Sequence, residues 1–106
     1  MAVKIKTSIP GPKSLLLAQR RSSSVAKGHG TVCNVYIEKA EGSLLEDVDG
    51  NIFIDFAGGI GTMNVGHSHP EILKRIKNQL DKYSHTCFSV APYESYIELA
   101  ERLSEL

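Results

Sequence analysis

The hydrophobic pattern predicts three short strands followed by two amphipathic helices. Three β-type runs contain Val35, Tyr36 and Ile37, then two leucines, then the segment Ile52-Phe-Ile54. Glu41-Gly42 and Asp49-Gly50-Asn51 separate these runs, and both sequences favour tight turns. We therefore expect a three-stranded antiparallel meander, with strands at residues 34–38, 43–47 and 51–56.

The two later stretches place apolar residues on one face of a helix. We expect the first helix to start at Pro70, because proline suits the first helical turn, with Ser68 or His69 as its cap. We expect the second to start at Pro92 and to continue to the last residue. Because these apolar faces need partners, only a thin two-layer core and weak stability or self-association are expected. The faces are Ile72, Leu73, Ile76, Leu80 and Tyr83, and Tyr96, Ile97, Ala100 and Leu103.

The start of the chain is basic. Residues 1–27 contain six of the 12 Lys and Arg residues and none of the 12 acidic residues. We interpret residues 1–13 as an arm that docks on an acidic body, and residues 14–22 as a short helix with partly buried leucines. A basic, Ser-rich start also occurs in mitochondrial transit peptides, but Pro10-Gly-Pro12 would interrupt such a helix.

Composition narrows the class of protein. A chain of 106 residues makes one domain at most, and a net charge of zero gives no reason to expect nucleic acid or membrane as a partner. Cys33 and Cys87 are far apart in sequence and fit neither a zinc ribbon nor a disulfide scaffold. We expect Cys87 to be buried and the protein to be cytoplasmic.

Residues 55–70 contain four glycines, two histidines and a proline. This density of glycine indicates tight turns or close approach of the backbone to another group. Gly58-Gly59-Ile60-Gly61 lacks the Gly-Lys-Ser/Thr ending of a P-loop and the spacing of a dinucleotide-binding loop. Two interpretations remain: a loop forced close to other backbone, or one wall of a ligand pocket with Ile60 as the apolar contact.

Other candidate chemistry is weaker. His67 and His69 are only two of the ligands that a zinc site needs, so we expect them to form hydrogen bonds at the helix start, one of them stabilising the loop. Ser84-His85-Thr-Cys87 contains a nucleophile and a base, but neighbouring residues of a strand point to opposite faces. No lysine has the apolar setting that a Schiff base requires.

Six motifs, spaced along the chain, together indicate a family. They are Ile9-Pro-Gly-Pro-Lys13, Ala40-Glu-Gly42, Asp47-Val-Asp-Gly50, Asp55-Phe-Ala-Gly-Gly-Ile60, Asn64-Val-Gly-His-Ser-His-Pro70 and Ser84-His-Thr-Cys-Phe88. In these motifs and their order, the chain resembles the N-terminal part of the class III (ω-amino acid) aminotransferases, most closely those that act on 4-aminobutyrate.

The resemblance implies an α+β segment of a fold-type-I, pyridoxal phosphate (PLP) dependent aminotransferase. The basic arm, residues 1–13, would be followed by a small-domain segment, residues 14–106, that runs into the large domain. This segment would contain an N-terminal helix, the meander and two further helices. The family works as a homodimer or a dimer of dimers.

The resemblance also implies chemistry. The parent enzyme would transfer the amino group of 4-aminobutyrate, or a similar ω-amino acid, to 2-oxoglutarate. Gly59, Ile60 and Ser89 match substrate-binding positions, although some relatives have glutamine in place of Ser89. The catalytic lysine and the cofactor-binding residues would follow residue 106, so this segment alone should neither bind PLP nor transaminate. Alternatives are an acetylornithine- or ornithine-type enzyme, or a stand-alone binding or assembly module.

Overall fold

The computed structural model describes residues 2–106, in two units that meet in sequence at Pro70. The first unit is an α+β arrangement, and the second is helical. The first contains helix α1 (Pro12–Ser24), strands β1 (Ile37–Glu41), β2 (Leu44–Asp47) and β3 (Ile52–Ile54), and the single turn α2 (Gly58–Gly61). Helix α3 (Pro70–Leu80) begins at the boundary, and α4 (Glu94–Ser104) follows in the second unit.

The predicted meander is confirmed, because β1, β2 and β3 pair antiparallel in that order. The predicted position of β1 is wrong by three residues: it begins at Ile37 rather than residue 34. A tight turn sets this register. Gly42 has a φ of 57°, which only glycine adopts readily, so Glu41 pairs directly with Leu44 across the turn.

Helix α1 begins at Pro12, two residues before the predicted start. The carboxylate of Asp49 explains this, since its two oxygens accept hydrogen bonds from the N–H groups of Lys13, at 2.8 Å, and Ser14, at 2.9 Å. An acid 36 positions away therefore replaces the local cap that helix starts usually have. The predicted burial of the α1 leucines is wrong for Leu15 and Leu16, which are exposed.

The N-terminal arm lies along the edge strand β3. The main chain of Lys4 exchanges two hydrogen bonds with Ile52, at 3.1 and 2.7 Å. The fully buried side chain of Asn51 accepts from the N–H groups of Lys6 and Thr7 and donates to Thr7 Oγ1 and Asp47 Oδ2. Main-chain and amide hydrogen bonds thus attach the arm to the meander.

The expected thin apolar core is absent from residues 2–106. No apolar side chain is buried there, and the fully buried side chains are those of Ser14, Asp47 and Asn51. Polar hydrogen bonds therefore hold the first unit together, and its apolar side chains remain half-buried or exposed.

The second unit confirms the two predicted helices. Helix α4 begins at Glu94, two residues after the predicted Pro92, and ends at Ser104, short of the last residue. Between the helices, Phe88 packs against Tyr93 and Tyr96, with ring centroids 5.4 and 4.3 Å apart. None of the helices in residues 2–106 is both long and apolar enough to cross a membrane.

Candidate functional site

The glycine-rich segment folds into one left-handed turn, α2. Gly58, Gly59, Ile60 and Gly61 all have positive φ, from 51° to 74°. Glycine adopts these angles freely, but for a β-branched residue such as Ile60 they are a rare and strained conformation. The turn also leaves the Ile60 side chain 95% exposed. A strained apolar residue at the outermost point of a turn is typical of a binding contact rather than of a packing position.

Asp55 fixes the start of this turn. Its Oδ1 accepts hydrogen bonds from the N–H groups of Ala57, at 3.0 Å, and Gly58, at 2.9 Å. This is an Asx turn, in which an aspartate side chain replaces a main-chain acceptor.

The other oxygen of the same carboxylate binds His67. Asp55 Oδ2 lies 2.6 Å from His67 Nε2, and the two side chains are only 7% and 19% exposed. The hydrogen bond from His67, with those from Gly58 and Ala57, holds the pKa of Asp55 below its ordinary value, although desolvation opposes them. Because an ionised carboxylate can only accept, His67 Nε2 must carry the proton and donate it. We call this pair the Asp55–His67 clip.

The main chain of His67 ties the clip to the sheet. Its N–H donates to the Gly42 carbonyl at 2.8 Å, and its carbonyl accepts from the Gly42 N–H at 2.9 Å. A Cβ on Gly66 would come within 3.0 Å of the Gly42 main chain, so a larger residue there would push the two segments apart. The clip therefore connects the left-handed turn to the β1–β2 hairpin.

A shallow cleft of about 260 Å³ lies beside the clip. Asp55, His67, Ser43, Asn64 and Met63 contribute to its lining, and Ile60 does not. The exposed side chain of Ile60 is therefore not part of this cleft.

The structure places the predicted site residues in two groups. Gly59 and Ile60 lie together in the left-handed turn. Ser89 belongs to the second unit and lies, exposed, in a turn that follows Cys87. The expected burial of Cys87 is wrong, because it is exposed and has a φ of 57°.

The two histidines differ. The prediction that one of them stabilises the loop is confirmed for His67, whereas His69 is exposed and forms no side-chain hydrogen bond within residues 2–106. Ser68 Oγ donates to the Ala40 carbonyl, and within residues 2–106 it accepts no hydrogen bond from the first turn of α3, so the prediction of Ser68 as a cap is wrong.

Sequence reasoning missed the role of Asp55. Its position at a strand end, three residues before the Gly58-Gly59 pair, is a signal for an Asx turn that could have identified it. Its partnership with His67 had no such signal. Within residues 2–106, no group of three or more His, Cys, Asp or Glu residues could hold a metal ion.

Comparisons with known proteins agree on one family. The family model for class-III aminotransferases matches residues 24–106. The chain is 40% identical over 103 residues to 4-aminobutyrate aminotransferase of Mycobacterium tuberculosis, covering 97% of this chain and 23% of the relative. It is 48% identical over 89 residues to 5-aminovalerate aminotransferase of Pseudomonas aeruginosa, covering 84% of this chain and 21% of the relative.

The fold agrees with the sequence comparisons. A solved structure of a transaminase with PLP bound superimposes on 96% of this chain with a TM-score of 0.78 and 27% sequence identity, and 24% of that structure is matched. The chain thus spans less than a quarter of the length of the proteins that it matches.

Proposed function

Because the chain belongs to the class-III aminotransferase family, we propose that it forms the N-terminal segment of a PLP-dependent enzyme that transfers the amino group of an ω-amino acid to 2-oxoglutarate. Support comes from the two relatives, which act on 4-aminobutyrate and 5-aminovalerate, and from the PLP of the matched transaminase structure. Both amino acids are unbranched and carry the amino group at the end opposite the carboxylate. They differ by a single methylene.

We propose that Ile60, with Gly59 beside it, forms an apolar wall for this methylene chain. The observation that carries the proposal is the strained left-handed conformation of Ile60 together with its 95% exposure. The Asp55–His67 clip anchors the beginning of the turn, which supports a fixed position for the exposed side chain. Ser89 is proposed as a second substrate contact on the strength of the family resemblance.

The residues of this segment do not fit the covalent attachment of PLP. The cofactor requires a lysine in a desolvated pocket and an acid for its ring nitrogen. Every lysine within residues 2–106 is exposed, Asp47 is engaged by Asn51, and Asp55 is engaged by His67. We therefore assign this segment the binding of substrate and not the chemical step.

The cellular setting is also a proposal. Exposed, unpaired Cys33 and Cys87 suit the reducing cytoplasm. A homodimer or a dimer of dimers is proposed on the strength of the family resemblance.

Replacement of Ile60 by alanine in the full-length enzyme tests the proposed wall. We expect kcat/KM for 4-aminobutyrate to fall about 10- to 200-fold, the range for lost apolar contacts in a pocket, with PLP content unchanged. Val65→Ala is the matched control, since Val65 is also exposed but lies outside the turn. Unchanged substrate constants with a lower melting temperature in Ile60→Ala would show that Ile60 is a packing residue. A preference of the wild-type enzyme for ornithine would favour the ornithine-type alternative.

A further inference from the structure

The Asp55–His67 clip is a half-buried polar pair whose contacts converge on the turn that carries Ile60. One carboxylate oxygen accepts the N–H groups of Ala57 and Gly58, at the beginning of the turn. The other accepts His67, whose main chain is fixed to Gly42. Rotation of the Asp55 carboxylate would therefore disturb both its bonds to the turn and its bond to His67.

The turn needs such support because its conformation is unfavourable for Ile60. A non-glycine residue in this region costs on the order of 1–3 kcal/mol and persists only when its surroundings enforce it. Among residues 2–106, Ile60 is 95% exposed, so its side chain gains little support from contacts within this segment. Main-chain hydrogen bonds from Gly61 to Ala57 and from Thr62 to Gly58 support the turn locally. The hydrogen bonds of Asp55 and the connection through His67 anchor it to the sheet.

We propose that His67 and Asp55 are positioning residues for substrate selectivity: they hold Ile60 at the depth that distinguishes a four-carbon from a five-carbon ω-amino acid. This inference rests on the proposed function of Ile60 as a pocket wall. A displacement of about one methylene length is enough to change such selectivity, because one methylene in an apolar pocket changes specificity about tenfold or more.

The decisive experiment is a double-mutant cycle in the full-length enzyme. His67→Ala removes the donor to Asp55, and Ile60→Ala removes the side chain that the clip is proposed to hold. The measured quantity is the ratio of kcat/KM for 4-aminobutyrate to kcat/KM for 5-aminovalerate. We expect His67→Ala to change this ratio about tenfold, mainly through KM, and to have no further effect on it in the Ile60→Ala background.

Two matched variants show whether the effect belongs to the clip. His67→Gln keeps an N–H donor for Asp55 Oδ2 and should restore most of the wild-type ratio. His69→Ala removes an exposed histidine two positions away and should leave the ratio unchanged. An equal effect of His69→Ala, or no rescue by His67→Gln, would overturn the proposal.

A second measurement does not depend on activity. Amide hydrogen exchange in the full-length protein should become faster at residues 57–63 in His67→Ala and remain at the wild-type rate in His69→Ala. Unchanged exchange at these residues would overturn the inference even if the enzyme had another substrate. If Ile60→Ala left kcat/KM for both substrates unaltered, the proposed function of Ile60 as a pocket wall would fail; if it lowered both equally, only the proposed role in selectivity would fail. If Ile60→Ala altered the ratio but the His67→Ala effect were absent or additive, only the clip's role in selectivity would fail.

Discussion

The two units of the chain are stabilised in different ways. In the first unit, side chains such as Asn51 and Asp49 bond to main-chain groups 35 to 45 residues away. In the second, the side-chain hydrogen bonds join residues only 4 or 5 positions apart, and the ring of Phe88 packs on Tyr93 and Tyr96 at the start of α4. Long-range polar bonds thus define one unit, and local bonds with ring contacts define the other.

The largest loss of stability in the first unit is expected when Asn51 is replaced. Asn51→Ala would remove the acceptor for two N–H groups and the donors to Thr7 and Asp47. Each buried group left without a partner costs about 1–3 kcal/mol, so we expect the free energy of unfolding of the first unit to fall by about 3 kcal/mol or more. Hydrogen exchange of residues 4–7 and 47–52 would measure it. Asn64→Ala, an exposed asparagine of the same unit, is the control, and an equal loss there would contradict the prediction.

A smaller effect is expected in the second unit from Phe88→Ala. The substitution removes two ring contacts, with Tyr93 and Tyr96. Each such pair contributes about 0.5–1.5 kcal/mol beyond simple burial. We expect faster exchange at residues 83–96 and no change at Asn51. Phe88→Leu, which keeps apolar volume without the ring, should be intermediate, and a response that spread into the sheet would show that the two units are not stabilised separately.

Lowering the pH should have the smallest effect on stability. It should destabilise the start of α1 but not the start of α4. Burial tends to raise the pKa of Asp49, but the N–H donors of Lys13 and Ser14 outweigh it, so the pKa is lowered. A lowered folded-state pKa means that the stabilisation is present above the ordinary value of 3.8 and is lost as pH falls through the folded value. NMR shifts of the Lys13 and Ser14 amides should report fraying of α1 below about pH 4.

Helix α4 provides the internal comparison, because its N-cap residue, Tyr93, makes no side-chain hydrogen bond. Its start should therefore show no acid transition of this kind. Asp49→Asn should abolish the transition in α1, and a transition that persisted in this variant would assign it to another group.

The sequence predicted what depends on neighbouring residues. The three strands, the turn at Gly42 and the helices after Pro70 and near Pro92 all follow from local periodicity and turn chemistry. The cap of α1 by Asp49, the bonds of Asn51 and the partnership of Asp55 with His67 did not, because their partners are 12 to 45 residues apart. Burial was also mispredicted at Cys87 and Leu16, since an apolar pattern does not show which surface will cover it.

The left-handed conformation of Ile60 has a consequence for the directed evolution of this enzyme. Glycine would adopt the same φ of 61° without strain, so Ile60→Gly should relax the backbone while deleting the proposed substrate contact. Selection for heat resistance alone would then favour a variant that lacks the proposed substrate contact. A screen for thermal stability should therefore also measure the preference for substrates of one chain length. At this position, stability and substrate preference are expected to change in opposite directions.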